Sequence, residues 1–122
     1  MAKMAEIIQN LIMELRRGTL VMCVLSQLRE AQYGYSLIQH LAEKGLQIDQ
    51  NTLYPLLRRL EKQGLLDSNW SVDEARPRRY YVLNSQGLEV LNNLIKEWLA
   101  MYRTIGAMLN INGGDDFCDK LD

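Results

Sequence analysis

The sequence predicts a mainly helical chain with a small two-stranded β wing: a winged helix-turn-helix followed by one long C-terminal helix. Three observations carry this. Apolar residues recur at helical spacing over most of the chain. That period gives way to short runs of aromatic and β-branched residues at 65–70 and 78–83. Glycines and capping residues stand at the junctions between these segments. At 122 residues the chain suits one domain with a real core. Its 48% hydrophobic and 24% charged residues are an ordinary globular balance.

Taken in order, the first 30 residues read as helix with a break near Gly18. Ile7, Ile8, Leu11, Ile12 and Leu15 form one stripe, and Leu20, Val21, Val24, Leu25 and Leu28 form a second. Gly18 weakens a helix interior and Thr19 can cap the next helix, so the junction falls there. Tyr33-Gly34-Tyr35-Ser36 reads as a turn leading into a short helix that runs to about Lys44, with Leu37, Ile38 and Leu41 inward and Gly45 closing it. Asp49 then offers an N-cap for a helix over Gln50–Gln63, stopped by Gly64. Pro55 falls in the second turn of that helix, where it removes a backbone hydrogen bond or bends the axis. The helix stands because Leu53, Leu56, Leu57 and Leu60 share one face.

Leu65–Trp70 and Arg78–Leu83 are then the two strands of a ribbon, linked by a polar stretch with Asp73, Glu74 and Pro77. Asn84 or Ser85 caps a last helix reaching about Leu109, whose stripe includes Leu88, Leu91, Leu94, Ile95, Trp98, Leu99, Tyr102, Ile105 and Leu109. Gly113 and Gly114 are expected to end it. The organisation is thus 1–83 as a winged helix-turn-helix with its N-terminal helix, 84–110 as a C-terminal dimerisation helix, and 111–122 as an acidic tail expected to be disordered.

Composition excludes several classes. No apolar run approaches the ~20 residues needed to span a bilayer, and no secretory pattern opens the chain, so a cytoplasmic protein is expected. Cys23 sits in an apolar helical run as a small buried thiol, and Cys118 lies in the tail. Neither has metal-ligand spacing to a His or a second Cys, so no metal and no cofactor are expected. His40 stands without a Ser, Cys or carboxylate arrangement, and no phosphate-binding glycine loop is present, which speaks against an enzyme. His40 and Trp70 are read as structural.

The net charge of −1 argues at first against a polyanionic partner, but its distribution reverses that. The tail carries −3, leaving +2 for residues 1–110. Basic residues gather on two short elements, Arg58, Arg59 and Lys62 on one and Arg76, Arg78 and Arg79 on the other. At about 100° per residue, Asn51, Tyr54, Pro55, Arg58 and Lys62 lie opposite the leucines of 50–63. A DNA major groove about 12 Å wide admits one such helix. Asn can read an adenine edge, Arg can read guanine or grip phosphate, and Tyr can do either weakly. Three arginines near a loop are by themselves a solvated face; at wing distance from a helix-turn-helix they become candidates for phosphate or minor-groove contact.

Four strings carry a family resemblance: Arg17-Gly18-Thr19-Leu20, Tyr33-Gly34-Tyr35, Thr52 to Glu61 (TLYPLLRRLE), and Arg76-Pro77-Arg78-Arg79-Tyr80-Tyr81. In order and spacing they resemble PadR-type transcriptional regulators over about residues 10–100. The resemblance accepts Pro55 as a usual member of its string. It implies a repressor that binds a pseudo-palindromic double-stranded operator as a homodimer, its C-terminal helix packed against the partner's N-terminal helices. Asn51, Thr52, Tyr54 and Arg58 would then face the groove, Tyr35 and Ser36 would sit near the backbone, and Arg76, Arg78 and Arg79 would hold the wing. The residues independently favour a dimer, since a stripe from Leu88 to Leu109 exceeds what a small winged domain can cover.

Some relatives hold flat aromatic compounds between subunits against a tryptophan of the last helix. Trp98 matches that position, with Thr19, Met22 and Met101 as neighbours for a small aromatic effector; alternatively these side chains simply fill the dimer core. A winged helix used as a protein–protein adaptor is the rival reading, because fold alone does not assign function.

Overall fold

The computed structural model describes residues 2–71 and 76–111. Asp73 and Glu74 of the wing link, Cys118, and the acidic tail from residue 112 on lie outside the described residues. Eight elements follow in order: α1 (Ala2–Arg17), α2 (Leu20–Ser26), β1 (Gln32–Tyr33), α3 (Gly34–Glu43), α4 (Gln50–Lys62), β2 (Leu66–Ser71), β3 (Arg78–Leu83) and α5 (Ser85–Met108).

The break between α1 and α2 falls at Gly18–Thr19, but Thr19 does not cap as expected. It keeps helical dihedrals, makes no side-chain cap bond, and its hydroxyl donates backward to the Arg16 carbonyl at 2.9 Å. Its side chain therefore closes α1, while its carbonyl accepts from the Cys23 N–H at 3.1 Å to open α2.

Helix ends explain most of the other boundaries. Asp49 accepts from the Thr52 N–H at 2.9 Å to start α4, and Asn84 accepts from the Gly87 N–H at 2.9 Å to start α5. At the C-termini of α3 and α4, Gly45 (φ +100°) and Gly64 (φ +85°) take the left-handed conformation that glycine adopts without penalty. The next residue then turns its N–H back, Leu46 to the Leu41 carbonyl at 2.8 Å and Leu65 to the Leu60 carbonyl at 3.0 Å. In both motifs the returning leucine packs on the core. The end of α5 corrects the sequence expectation. Gly113 and Gly114 lie outside the described residues, and the helix has already closed at Asn110 (φ +59°), with Ile111 bonding the Gly106 carbonyl at 2.9 Å. Asparagine is the residue that best replaces glycine in that conformation.

The wing departs from expectation in one respect. Its two long strands pair antiparallel from Leu66↔Leu83 to Ser71↔Arg78, but β1 adds a third strand through Gln32↔Tyr81 and Tyr33↔Tyr80, giving the order β1-β3-β2. Two residues are too few to show a strand period. The bonds from Leu83 N–H to the Leu28 carbonyl (2.7 Å) and from Gln32 Nε2 to the Gln27 carbonyl (2.7 Å) tie this sheet to the end of α2.

Leucines make the core. Val24, Leu25, Leu28, Leu37, Leu41, Leu53, Leu56, Leu57, Leu60, Leu66, Tyr81 and Leu91 form one buried cluster drawn from α2, α3, α4, the sheet and the start of α5. Cys23, expected buried, is half-buried. The predicted stripe of α5 divides: Leu91 is fully buried and Leu94 and Ile95 pack on the core, whereas Trp98, Leu99, Tyr102, Ile105 and Leu109 stay exposed. On α1, Met4, Ile7, Ile8, Leu11 and Leu15 are exposed as well.

Candidate nucleic-acid interface

The inward face of α4 is fixed by burial of Leu53, Leu56, Leu57 and Leu60, each at least nine-tenths covered. Turning those four leucines inward leaves Asn51, Thr52, Pro55, Arg58 and Lys62 exposed on the other side. The amide, hydroxyl, guanidinium and ammonium groups of that surface can donate to base edges or phosphate oxygens. Pro55 is accommodated inside a continuous helix. The bond its missing N–H would have made is to the carbonyl of Asn51, a residue at the solvent-facing first turn, where water can replace it.

Tyr54 is half-buried, and its ring edge lies against the α-carbon of Gly34 at the start of α3. A Cβ at Gly34 would overlap the ring, so two of the motif strings meet across the α3–α4 turn. Tyr35, next to it, is 52% exposed. Ser36 is turned to local bonding: its hydroxyl reaches the Tyr33 carbonyl at 2.9 Å and Gln32 Oε1 at 3.3 Å, which fixes the entry to α3 against β1.

Strand alternation separates the wing arginines. Arg78 lies over the Tyr33 ring at 4.4 Å, on the face where Tyr33 and Tyr80 meet edge to face. Arg79 points to the opposite face and back toward α4. Its Nη2 bonds Glu61 Oε1 at 2.6 Å and its Nε donates to Ser68 Oγ at 3.2 Å. The Ser68 hydroxyl donates in turn to Glu61 Oε2. Trp70, paired directly with Arg79, and Tyr81 place their rings 5.9 and 5.5 Å from the guanidinium. The Ser68 hydroxyl, together with the Arg79 charge, holds the Glu61 carboxyl below its ordinary value, while burial pushes the Tyr81 phenol up. Arg76 stands exposed beside the wing link.

Reading the sequence missed Glu61 and Ser68 as members of this cluster. Their link to Arg79 spans 18 and 11 positions, and only the strand register shows that Ser68, Trp70 and Arg79 share a face. Trp70 and His40, read as structural, are both exposed. Among the described residues no group of His, Cys, Asp or Glu side chains could hold a metal ion.

The four residues suggested for an effector do come together. Thr19, Met22, Trp98 and Met101 line one apolar cavity of about 680 Å³ between α2 and α5. Trp98 stacks on Tyr102 at 5.6 Å along one wall. Arg59 and Leu60 of α4 and its C-cap residue Gln63 form another part of its lining.

Comparison with known proteins points one way. The family described as "Transcriptional regulator PadR-like family" matches residues 21–93. The crystal structure of a PadR family transcriptional regulator from Eggerthella lenta is similar at a TM-score of 0.86 and 48% identity, covering 89% of this chain and 97% of that one. A PadR-like transcriptional regulator from Bacillus cereus is similar at 0.70 and 28% identity, covering 79% and 96%. A transcriptional regulator of Mycobacterium tuberculosis is 41% identical over 59 residues, which are 48% of this chain and 55% of that protein.

Proposed function

Since this chain belongs to the PadR-like family of transcriptional regulators, we propose that it is a sequence-specific repressor that binds a pseudo-palindromic operator as a homodimer. Family and fold are those of transcriptional regulators and not of enzymes. No helix among the described residues is long and apolar enough to cross a membrane.

One observation supports this reading above the rest: α4 buries its leucines and leaves Asn51, Thr52, Arg58 and Lys62 exposed on a single face. In the proposed complex α4 enters the major groove. Asn51, Thr52, Arg58 and the exposed edge of Tyr54 meet bases and phosphates, while Tyr35 and Ser36 approach the backbone at the start of α3. Arg76, Arg78 and Arg79 give the wing its positive charge. Residues 1–83 form the reading unit, and 84–110 supply the dimer helix. The exposed apolar faces of α1 and of the second half of α5 are the surfaces two copies would bury against each other.

The cavity beside Trp98 is the proposed effector site, for a flat, largely apolar aromatic compound stacked on the indole between Met22 and Met101. A compound seated there would touch α4 through Leu60 and the C-cap residue Gln63. Occupancy would thus bias the helix whose outer side is proposed to read DNA.

Mobility shift of fragments from the native upstream region, run across a salt series, tests the reading. A steep fall of affinity with salt together with sequence preference is expected. No shift at low salt would favour a protein–protein adaptor instead.

A further inference from the structure

Among the arginines of the wing, Arg79 is committed differently from the rest. Its guanidinium spends Nε and Nη2 on Ser68 and Glu61. Ser68 closes the triangle by donating to the second oxygen of the same carboxylate. The three residues come from three elements: Glu61 from the last turn of α4, Ser68 from β2 and Arg79 from β3. Trp70 and Tyr81 flank the guanidinium from the sheet, which limits where it can swing. Two of the five guanidinium N–H donors are taken in this way, and the adjacent carboxylate offsets its charge. The triangle also fixes the sheet relative to α4.

We propose that the Glu61–Ser68–Arg79 triangle is a positioning device that sets the angle between α4 and the wing, so that Arg58 on the helix and Arg76 on the wing engage one duplex together. The inference rests on the DNA-binding reading above and assigns Arg79 a role within it: Arg79 acts through Glu61 and does not neutralise a phosphate. Glu61 then becomes a residue that DNA binding requires, although it is an anion beside a polyanion.

That paradox supplies a test with opposite signs. Glu61→Gln removes one negative charge per protomer from the neighbourhood of the DNA. Electrostatics alone would tighten binding to any duplex. A loosened wing would weaken binding to the specific site. The wild-type protein is first used to select its preferred duplex from a randomised pool; failure to enrich any sequence would remove the DNA-binding reading itself, and this inference with it. Titration of that duplex and of a scrambled one then compares the variants.

With Glu61→Gln, affinity for the selected duplex should fall about tenfold while affinity for the scrambled duplex stays level or rises. Arg79→Ala should show the same loss of preference with the slope of log K against log salt unchanged. Arg76→Ala should make that slope shallower by about 0.9 for each phosphate contact removed. Ser68→Ala, a smaller change to the same triangle, should repeat the sign of Glu61→Gln and covers the case in which Arg79→Ala fails to fold. Equal or tighter specific binding by Glu61→Gln and Ser68→Ala, or a shallower salt slope for Arg79→Ala, would overturn the proposal.

Discussion

A methyl group on Gly34 would overlap the Tyr54 ring, so these two residues have to be understood as a pair. Gly34→Ala is expected to displace the ring and cost about 1–3 kcal/mol, as overpacking usually does. Tyr54→Ala added to it should recover part of the loss in thermal unfolding. Independent, additive losses would mean the two do not touch. The sequence placed both residues in motif strings, yet nothing in either string shows that one exists to make room for the other. Glu61 carries a second prediction. Because the folded protein holds it below the ordinary carboxylate value of 4.5, its contacts contribute fully above that value and fade as pH falls through it. The gap in Tm between the wild type and Glu61→Gln should therefore be constant from neutral pH down toward the ordinary carboxylate value and close as pH falls below it. Both groups are partly exposed, Arg79 at 36% and Glu61 at 26%, so the gap should be small. A gap that widens in acid would contradict the assignment.

At the level of elements, α4 was the most legible part of the chain. Its cap, its leucine face and its stop are all short-range features, and each sits where the spacing put it. Asp49→Ala should cost about 1 kcal/mol, lowering Tm by a few degrees without altering the assembly state. A change of assembly state would show that the cap does more than start the helix. The elements that escaped were those set by distant partners or unusual signals. β1 is two residues whose strand character comes from pairing with β3, and α5 stops at an asparagine where the eye goes to the glycine pair beyond. Alternation along β3 sends Arg78 and Arg79 to opposite faces, so a cluster that looks uniform in sequence meets two different sets of neighbours in space.

For the whole molecule, α1 and the second half of α5 leave apolar side chains uncovered, and the cavity against Trp98 lies between α2 and α5. Burying a large apolar side chain contributes about 1.5–3 kcal/mol, so two copies covering several each would form a lasting dimer. Trp98→Ala should blunt the response to an aromatic ligand more than it weakens DNA binding. Quenching of indole fluorescence is the measure, with Trp70→Phe as the background that isolates Trp98. Quenching that survives Trp98→Ala in that background would place the ligand elsewhere. The account as a whole turns on which side of α4 meets DNA. Fluorescence anisotropy of the selected duplex against Arg58→Ala, with sedimentation run in parallel, tests it most directly. A loss of about 1–3 kcal/mol in operator affinity with the dimer intact is the predicted result. Unchanged affinity, or loss of dimer and DNA binding together, would contradict it.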